Sequence, residues 1–198
     1  MALTATHGKR SRHNVKSATY HITTRCNNKL HLIKNPLDFR RYIYILKKSK
    51  EKYGFLLHNY SMVNSHTHLI LRLENIINLS QIMHSINRWY AAWYNTKYGR
   101  TGHFWEERFY AELIQDDLQL LTAMIYADLN PVKAGLCKHP ADWKFSGACH
   151  YINGNPNTLI NIPDAYLNLG ENKTLRSKTY TRIMKSCYKR LVGSNCPK

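Results

Sequence analysis

The spacing of apolar positions changes several times along the chain, and each change marks a predicted element. Residues 18–24 (ATYHITT) are rich in β-branched and aromatic side chains, which predicts a strand, followed by a turn at Arg25-Cys26-Asn27-Asn28. Over residues 37–53, Leu37, Tyr42, Ile45 and Leu46 recur near helical spacing with Lys and Arg on the other side. Asn35-Pro36 and Gly54 bracket them, so the segment reads as a surface helix. Residues 55–62 and 66–73 predict two strands separated only by Val63-Asn64-Ser65, which makes them an antiparallel pair.

A long aromatic helix is predicted over 78–98, where Ile82, Ile86, Trp89, Trp93 and Tyr94 fall at steps of three and four and Gly99 is the stop. That spacing reads Trp89 and Trp93 as core, with base stacking by Trp89, Trp93 and Trp105 as the other reading. Residues 103–114 read as a strand or irregular chain, and 117–129 as a helix opened by acidic residues and closed near Asn130-Pro131. The order of strand, helix, strand, strand, helix, strand, helix predicts an α+β fold: a ferredoxin-like split β-α-β antiparallel sheet with helices on one face. Three parts are expected: a basic flexible arm at 1–16, a folded domain at 17–150, and a linker with a basic C-terminal tail at 151–198.

Charge sharpens this division. Residues 1–60 carry 13 Lys/Arg against 2 Asp/Glu, residues 61–170 carry 8 against 9, and residues 171–198 carry 8 against 1, for a net charge of +17. Cationic ends around a neutral middle point to a polyanion such as nucleic acid, or otherwise to a solvated surface. No run approaches the roughly 18 apolar residues that span a bilayer, so no membrane partner is expected. Five widely spaced cysteines, without a Cys-x-x-Cys pair, read as reduced thiols of a cytoplasmic protein.

Candidate chemistry lies in the neutral middle. His66 and His68, two apart in a strand, put both imidazoles on one sheet face, where they can share a divalent metal or simply be paired polar residues. Tyr126 and Asn130, four apart on a helix, share a helix face. Alone, Tyr126 reads as a core tyrosine and Asn130 as a helix terminator. Together the four supply two imidazole ligands, an oxygen ligand and an oxygen nucleophile. These are the parts of a metal-assisted phosphoryl transfer in which a tyrosine attacks a DNA phosphodiester.

Four stretches occur in order: YHITTRCNN (20–28), YSMVNSHTHLIL (60–71), YGRTGHFWEERF (98–109) and YADLNPVKAGL (126–136), followed by HPADWKFSG (139–147). With them the chain resembles the REP-associated tyrosine transposases, single-strand tyrosine transposases of the His-hydrophobic-His superfamily of DNA nickases. The resemblance implies that residues 17–150 form the catalytic domain, that Tyr126 is the nucleophile, and that His66, His68 and Asn130 hold Mg²⁺ or Mn²⁺. It further implies single-stranded DNA and DNA hairpins as partners, a 5′-phosphotyrosine intermediate, and a nucleoid-associated location. The chain departs from the family at Asn64-Ser65, usually Pro-Asn, at Cys26, usually Gly, and at Thr67, usually a bulky hydrophobe.

Lys9, Arg10, Arg12, Lys16, Arg25 and Arg100 are the expected DNA contacts, since exposed cations bind a phosphate backbone. His103, Glu106, Glu107 and Arg108 read as a structural strand with a surface ion pair, or as groups near the site. Monomer and dimer both remain open. Two other functions are carried: a domesticated, non-catalytic nucleic-acid-binding protein of the same fold, and a metal-dependent hydrolase that activates water.

Overall fold

The computed structural model describes residues 17–74 and 78–193. Four strands, β1 (Ala18–Arg25), β2 (Leu56–Met62), β3 (His66–Leu73) and β4 (Tyr110–Ile114), form one antiparallel sheet in the order β2-β3-β1-β4. Helix α1 (Pro36–Tyr53) joins β1 to β2, and α2 (Leu79–Tyr98) joins β3 to β4. This is the predicted α+β, ferredoxin-like arrangement. No helix among the described residues is long and apolar enough to cross a membrane.

Local chemistry sets the helix limits. The Asn35 side chain accepts from the Leu37 and Asp38 amides, Asp38 accepts back from Asn35, and Pro36 opens α1. The helix closes at Gly54, whose φ of 68° lies in the left-handed region that glycine occupies without strain. Helix α3 (Asp117–Lys133) starts where the Asp116 side chain accepts from the Gln119 amide at 2.7 Å.

Alternation divides the strands into two faces. Ile22, Thr67, Leu69 and Leu71 face α1 and α2, and the Tyr42 hydroxyl meets Thr67 Oγ1 at 3.3 Å. That hydrogen bond accounts for a hydroxyl where the family usually has a hydrophobe. His21, Thr23, Arg25, His66 and His68 lie on the opposite face.

The expectation of helices on one face holds for α1 and α2 but not for α3, which crosses the opposite face. Asn59 and Ile70 on that face are fully buried and need a cover, and α3 supplies it through Met124, Ala127 and Asp128. Asn59 Nδ2 donates to Met124 O at 3.2 Å and to Asp128 Oδ1 at 2.9 Å. Gly147 crosses close to this joint: a Cβ there would lie 2.1 Å from Asn59 Oδ1.

Two further boundaries differ from expectation. Helix α3 runs through Asn130-Pro131 to Lys133, because proline removes one intrahelical donor while Ala134 still donates to the Asn130 carbonyl at 2.9 Å. Residues 151–193 do not form a linker and a free tail. Helices α4 (Ala148–Asn153), α5 (Asp164–Leu167) and α6 (Lys173–Gly193) pack into the same core, where Tyr180 of α6 is fully buried and donates to Asp128 Oδ2 at 2.7 Å.

Finally, Trp89 is 65% exposed and not core, whereas Trp93 is half-buried and packs against the core. The buried stripe of α2 is Ile82, Met83, Ile86, Tyr90 and Tyr94; each tryptophan precedes a stripe tyrosine by one residue, a turn of about 100° away from the sheet.

Burial pushes the Asp128 carboxyl up to about 7, against the lowering effect of its bonds to Asn59 and Tyr180. Its folded pKa therefore exceeds its unfolded one, and between them the folded state holds the extra proton. Stability from this group is full below about pH 4 and is lost as pH rises toward 7, by up to ~1.4 kcal/mol per pH unit. Urea denaturation of Asp128→Asn across that window should show the variant gaining on wild type as pH rises. A constant difference would contradict the raised carboxyl.

Candidate active site

A cleft of about 1070 Å³ opens between the exposed part of the sheet face and α3. Strand register lays its floor: Arg25 pairs with His66, Thr23 with both His68 and Tyr110, and His21 with Glu112. Leu118, Thr122 and Tyr126 of α3 form one wall, and Glu106, Glu107 and Arg108 form another. The loop carrying those three charges is tied to β1 by the Glu106 amide, which donates to the Arg25 carbonyl at 3.0 Å.

His66 and His68 sit side by side with ring centroids 5.1 Å apart. Asn130 reaches His66 from α3, its carboxamide nitrogen 2.8 Å from Nε2, and Ser65 Oγ lies 2.9 Å from Nδ1. Tyr126, one turn before Asn130, is 41% exposed, with its ring centroid 5.5 Å from that of His68. It is therefore not the core tyrosine that an apolar helix implies on its own. Lys133 Nζ lies 4.3 Å from the Tyr126 ring centroid, a cation-π contact that fixes the ring beside a positive charge.

Sequence reasoning gave His21 no role, yet it touches the centre of the site. Its Nε2 lies 2.9 Å from His68 Nδ1, with Thr23 Oγ1 3.2 Å from the same nitrogen. The signal was alternation: His21, Thr23 and Arg25 share one side of β1, but that this side faces His68 depends on the pairing of β1 with β3.

Burial lowers the pKa of His21 and of His66, and lowers that of His68 well below the ordinary histidine value. All three are neutral near pH 7, the form that binds metals. His68 Nε2 is buried without a hydrogen-bond partner. The described residues contain no cluster of three or more His, Cys, Asp or Glu suited to a metal. Asn130 is the further polar side chain that reaches the pair, and its carboxamide oxygen replaces its nitrogen on a half-turn. Two neutral imidazoles, one with its Nε2 unpartnered, and a carboxamide within reach fit a divalent cation.

The family profile described as IS200-like transposase matches residues 14–128, more than half of the sequence. The chain belongs to that family. A role in DNA transposition comes with that membership. This IS200-like transposase also shares its fold with a solved structure of a REP-associated tyrosine transposase bound to a REP hairpin. The match has a TM-score of 0.63 and 20% identity, covering 80% of this chain and 93% of that one. A solved structure described as a candidate transposase from Deinococcus radiodurans R1 matches with a TM-score of 0.45 and 11% identity, over 67% of this chain and 98% of that one. No curated protein matches the chain.

Of the six cations expected to meet DNA, Arg25 lines the cleft of this family member. Arg100 does not; it lies against the Tyr94 ring at 5.7 Å with Nη1 buried, a packing position. Lys9, Arg10, Arg12 and Lys16 lie outside the described residues. His103 is exposed and outside the cleft lining, unlike Glu106, Glu107 and Arg108.

Imidazole resonances of the metal-free protein, followed by NMR from pH 5 to 8, should show His21, His66 and His68 titrating below the ordinary value, His68 the lowest. A His68 midpoint at or above about 6.5 would remove the burial argument.

Proposed function

We propose that the chain nicks and transfers single-stranded DNA beside a hairpin, through a covalent link to Tyr126. The observation that carries this reading is the placement of Tyr126: exposed in the cleft, its ring beside His68, and one turn from the Asn130 that reaches His66. An exposed tyrosine beside neutral imidazoles and a lysine is arranged for a phosphoryl group, which needs an oxygen nucleophile and positive charge around its oxygens. The solved relative bound to a REP hairpin supports hairpin DNA as the substrate class.

In this reading the Tyr126 hydroxyl oxygen attacks the scissile phosphorus and loses its proton. The bond to the 3′ oxygen breaks, that oxygen takes up a proton, and the 5′ phosphate stays on the tyrosine. The released 3′-hydroxyl of the same or another strand reverses the exchange, so the phosphodiester energy is retained and no nucleotide is consumed. Lys133 holds the Tyr126 ring and lends charge to the phosphate, while His21 and Thr23 fix the orientation of His68. His66, His68 and Asn130 are the residues that would hold Mg²⁺ or Mn²⁺, whose chemistry is to polarise a phosphoryl oxygen. Arg25, with Lys9, Arg10, Arg12 and Lys16, contacts the DNA backbone.

Incubation with labelled hairpin DNA bearing single-stranded flanks and Mn²⁺ should give a covalent band on a denaturing gel. Tyr126→Phe should abolish it and reduce cleavage by roughly a thousandfold or more. Cleavage that survives the substitution would favour water activation at the His pair; tight binding without product under either metal would favour a binding protein. Removal of residues 1–16 should weaken hairpin binding and flatten its salt dependence, by roughly 0.7 to 0.9 in log–log slope per lost phosphate contact. An unchanged slope takes the arm out of the interface.

A further inference from the structure

The outer surface of α1 and α2 lies on the side of the sheet away from the cleft, and it presents flat aromatic groups to solvent. Trp89 is 65% exposed and Tyr44 50% exposed. Arg41 Cζ lies 5.2 Å from the Tyr44 ring centroid and 5.7 Å from that of Trp93, so a ring of α1, a guanidinium and a ring of α2 form a row across the two helices. Trp89 stands one turn before Trp93 on the same side of α2.

This surface is also short of carboxylates. Helix α2 has none, and α1 has Asp38 and Glu51, which are taken by Lys97 at 2.7 Å and Lys48 at 2.8 Å. Arg40, Arg41 and Arg88 have no carboxylate partner among the described residues, and Arg41 Nε is buried without a hydrogen-bond partner. Uncommitted guanidinium groups beside exposed rings complement a chain that alternates flat apolar bases with negative phosphates. A folded protein interface would not require that alternation, and duplex DNA offers no unstacked bases to the rings.

We propose that the outer α1–α2 face binds an unpaired stretch of DNA, with bases stacked on Trp89 and on the Tyr44–Arg41–Trp93 row and phosphates held by Arg40 and Arg88. The proposal rests on the DNA reading above and adds a strand other than the one in the cleft. Because the sheet separates the two surfaces, this strand is a flank of the hairpin or a second DNA segment, held while Tyr126 acts on its own substrate.

Fluorescence anisotropy of the full chain with a labelled oligothymidine of about 15 nucleotides tests it, with a duplex of equal length alongside. Trp89→Ala should weaken oligothymidine binding about five- to hundredfold, more than duplex binding, and Trp89→Phe should retain most of the affinity. Arg88→Gln should reduce the salt slope by about 0.7. Trp89→Ala and Arg88→Gln binding like wild type would overturn the platform while leaving the DNA reading intact. Equal loss on duplex would overturn the stacking. Absence of any DNA binding by wild type would remove the DNA reading itself. Capture by phosphatidylserine vesicles that depends on Trp89, with DNA binding unaffected, would assign the face to a membrane surface.

Discussion

The buried bridge from Asn59 through Asp128 to Tyr180 is the constraint on which the site depends. A helix laid on a sheet face through apolar contacts alone can slide or roll at modest cost. A buried carboxyl shared between a strand carboxamide and a tyrosine of another helix cannot, because any displacement leaves polar groups unpaired in the core. Asp128 stands about 200° around α3 from both Tyr126 and Asn130. Fixing the buried side of the helix thus fixes the side that meets the histidines.

The same joint recruits the C-terminal part of the chain. Tyr180 is fully buried because α6 lies across α3, and Tyr151 of α4 donates from the core to the His58 carbonyl of β2. The Trp143 indole donates to the Met62 carbonyl at 2.8 Å, where β2 ends before the His66 turn. Residues beyond position 139 therefore brace β2, the strand paired with the one that carries the histidine pair. Burial acts in two directions here, raising the Asp128 carboxyl and lowering the imidazoles, and both changes disfavour charge in the interior.

Much of this was legible in the residues. Period-two alternation placed His66 and His68 on one face, and helical spacing placed Tyr126 with Asn130. The split β-α-β order followed from the succession of periods. What escaped had long-range causes. His21 becomes informative only through the pairing of β1 with β3, a relation between residues 47 apart. The second helical layer depends on buried Asn59, which a sequence shows only as one polar residue in a strand. Trp89 was read from its spacing as core, but the stripe has room for Tyr90 and Tyr94, and one residue of phase turned the indole outward. Asn130-Pro131 read as a stop because proline disfavours helix, yet a single missing donor near the end of a well-packed helix is tolerated.

The strand register has an evolutionary consequence. His21, His66 and His68 meet because two strands present the same parity of positions to the same side. Loss or gain of one residue within β1 would move Tyr20 or Ile22 into the place of His21 and hide the imidazole among apolar side chains, without replacing His66, His68, Tyr126 or Asn130. Length variation in this lineage is therefore expected to fall in the loops or in steps of two along the strands. A single codon deletion within β1 would disarrange the cleft while leaving His66, His68, Tyr126 and Asn130 in the sequence.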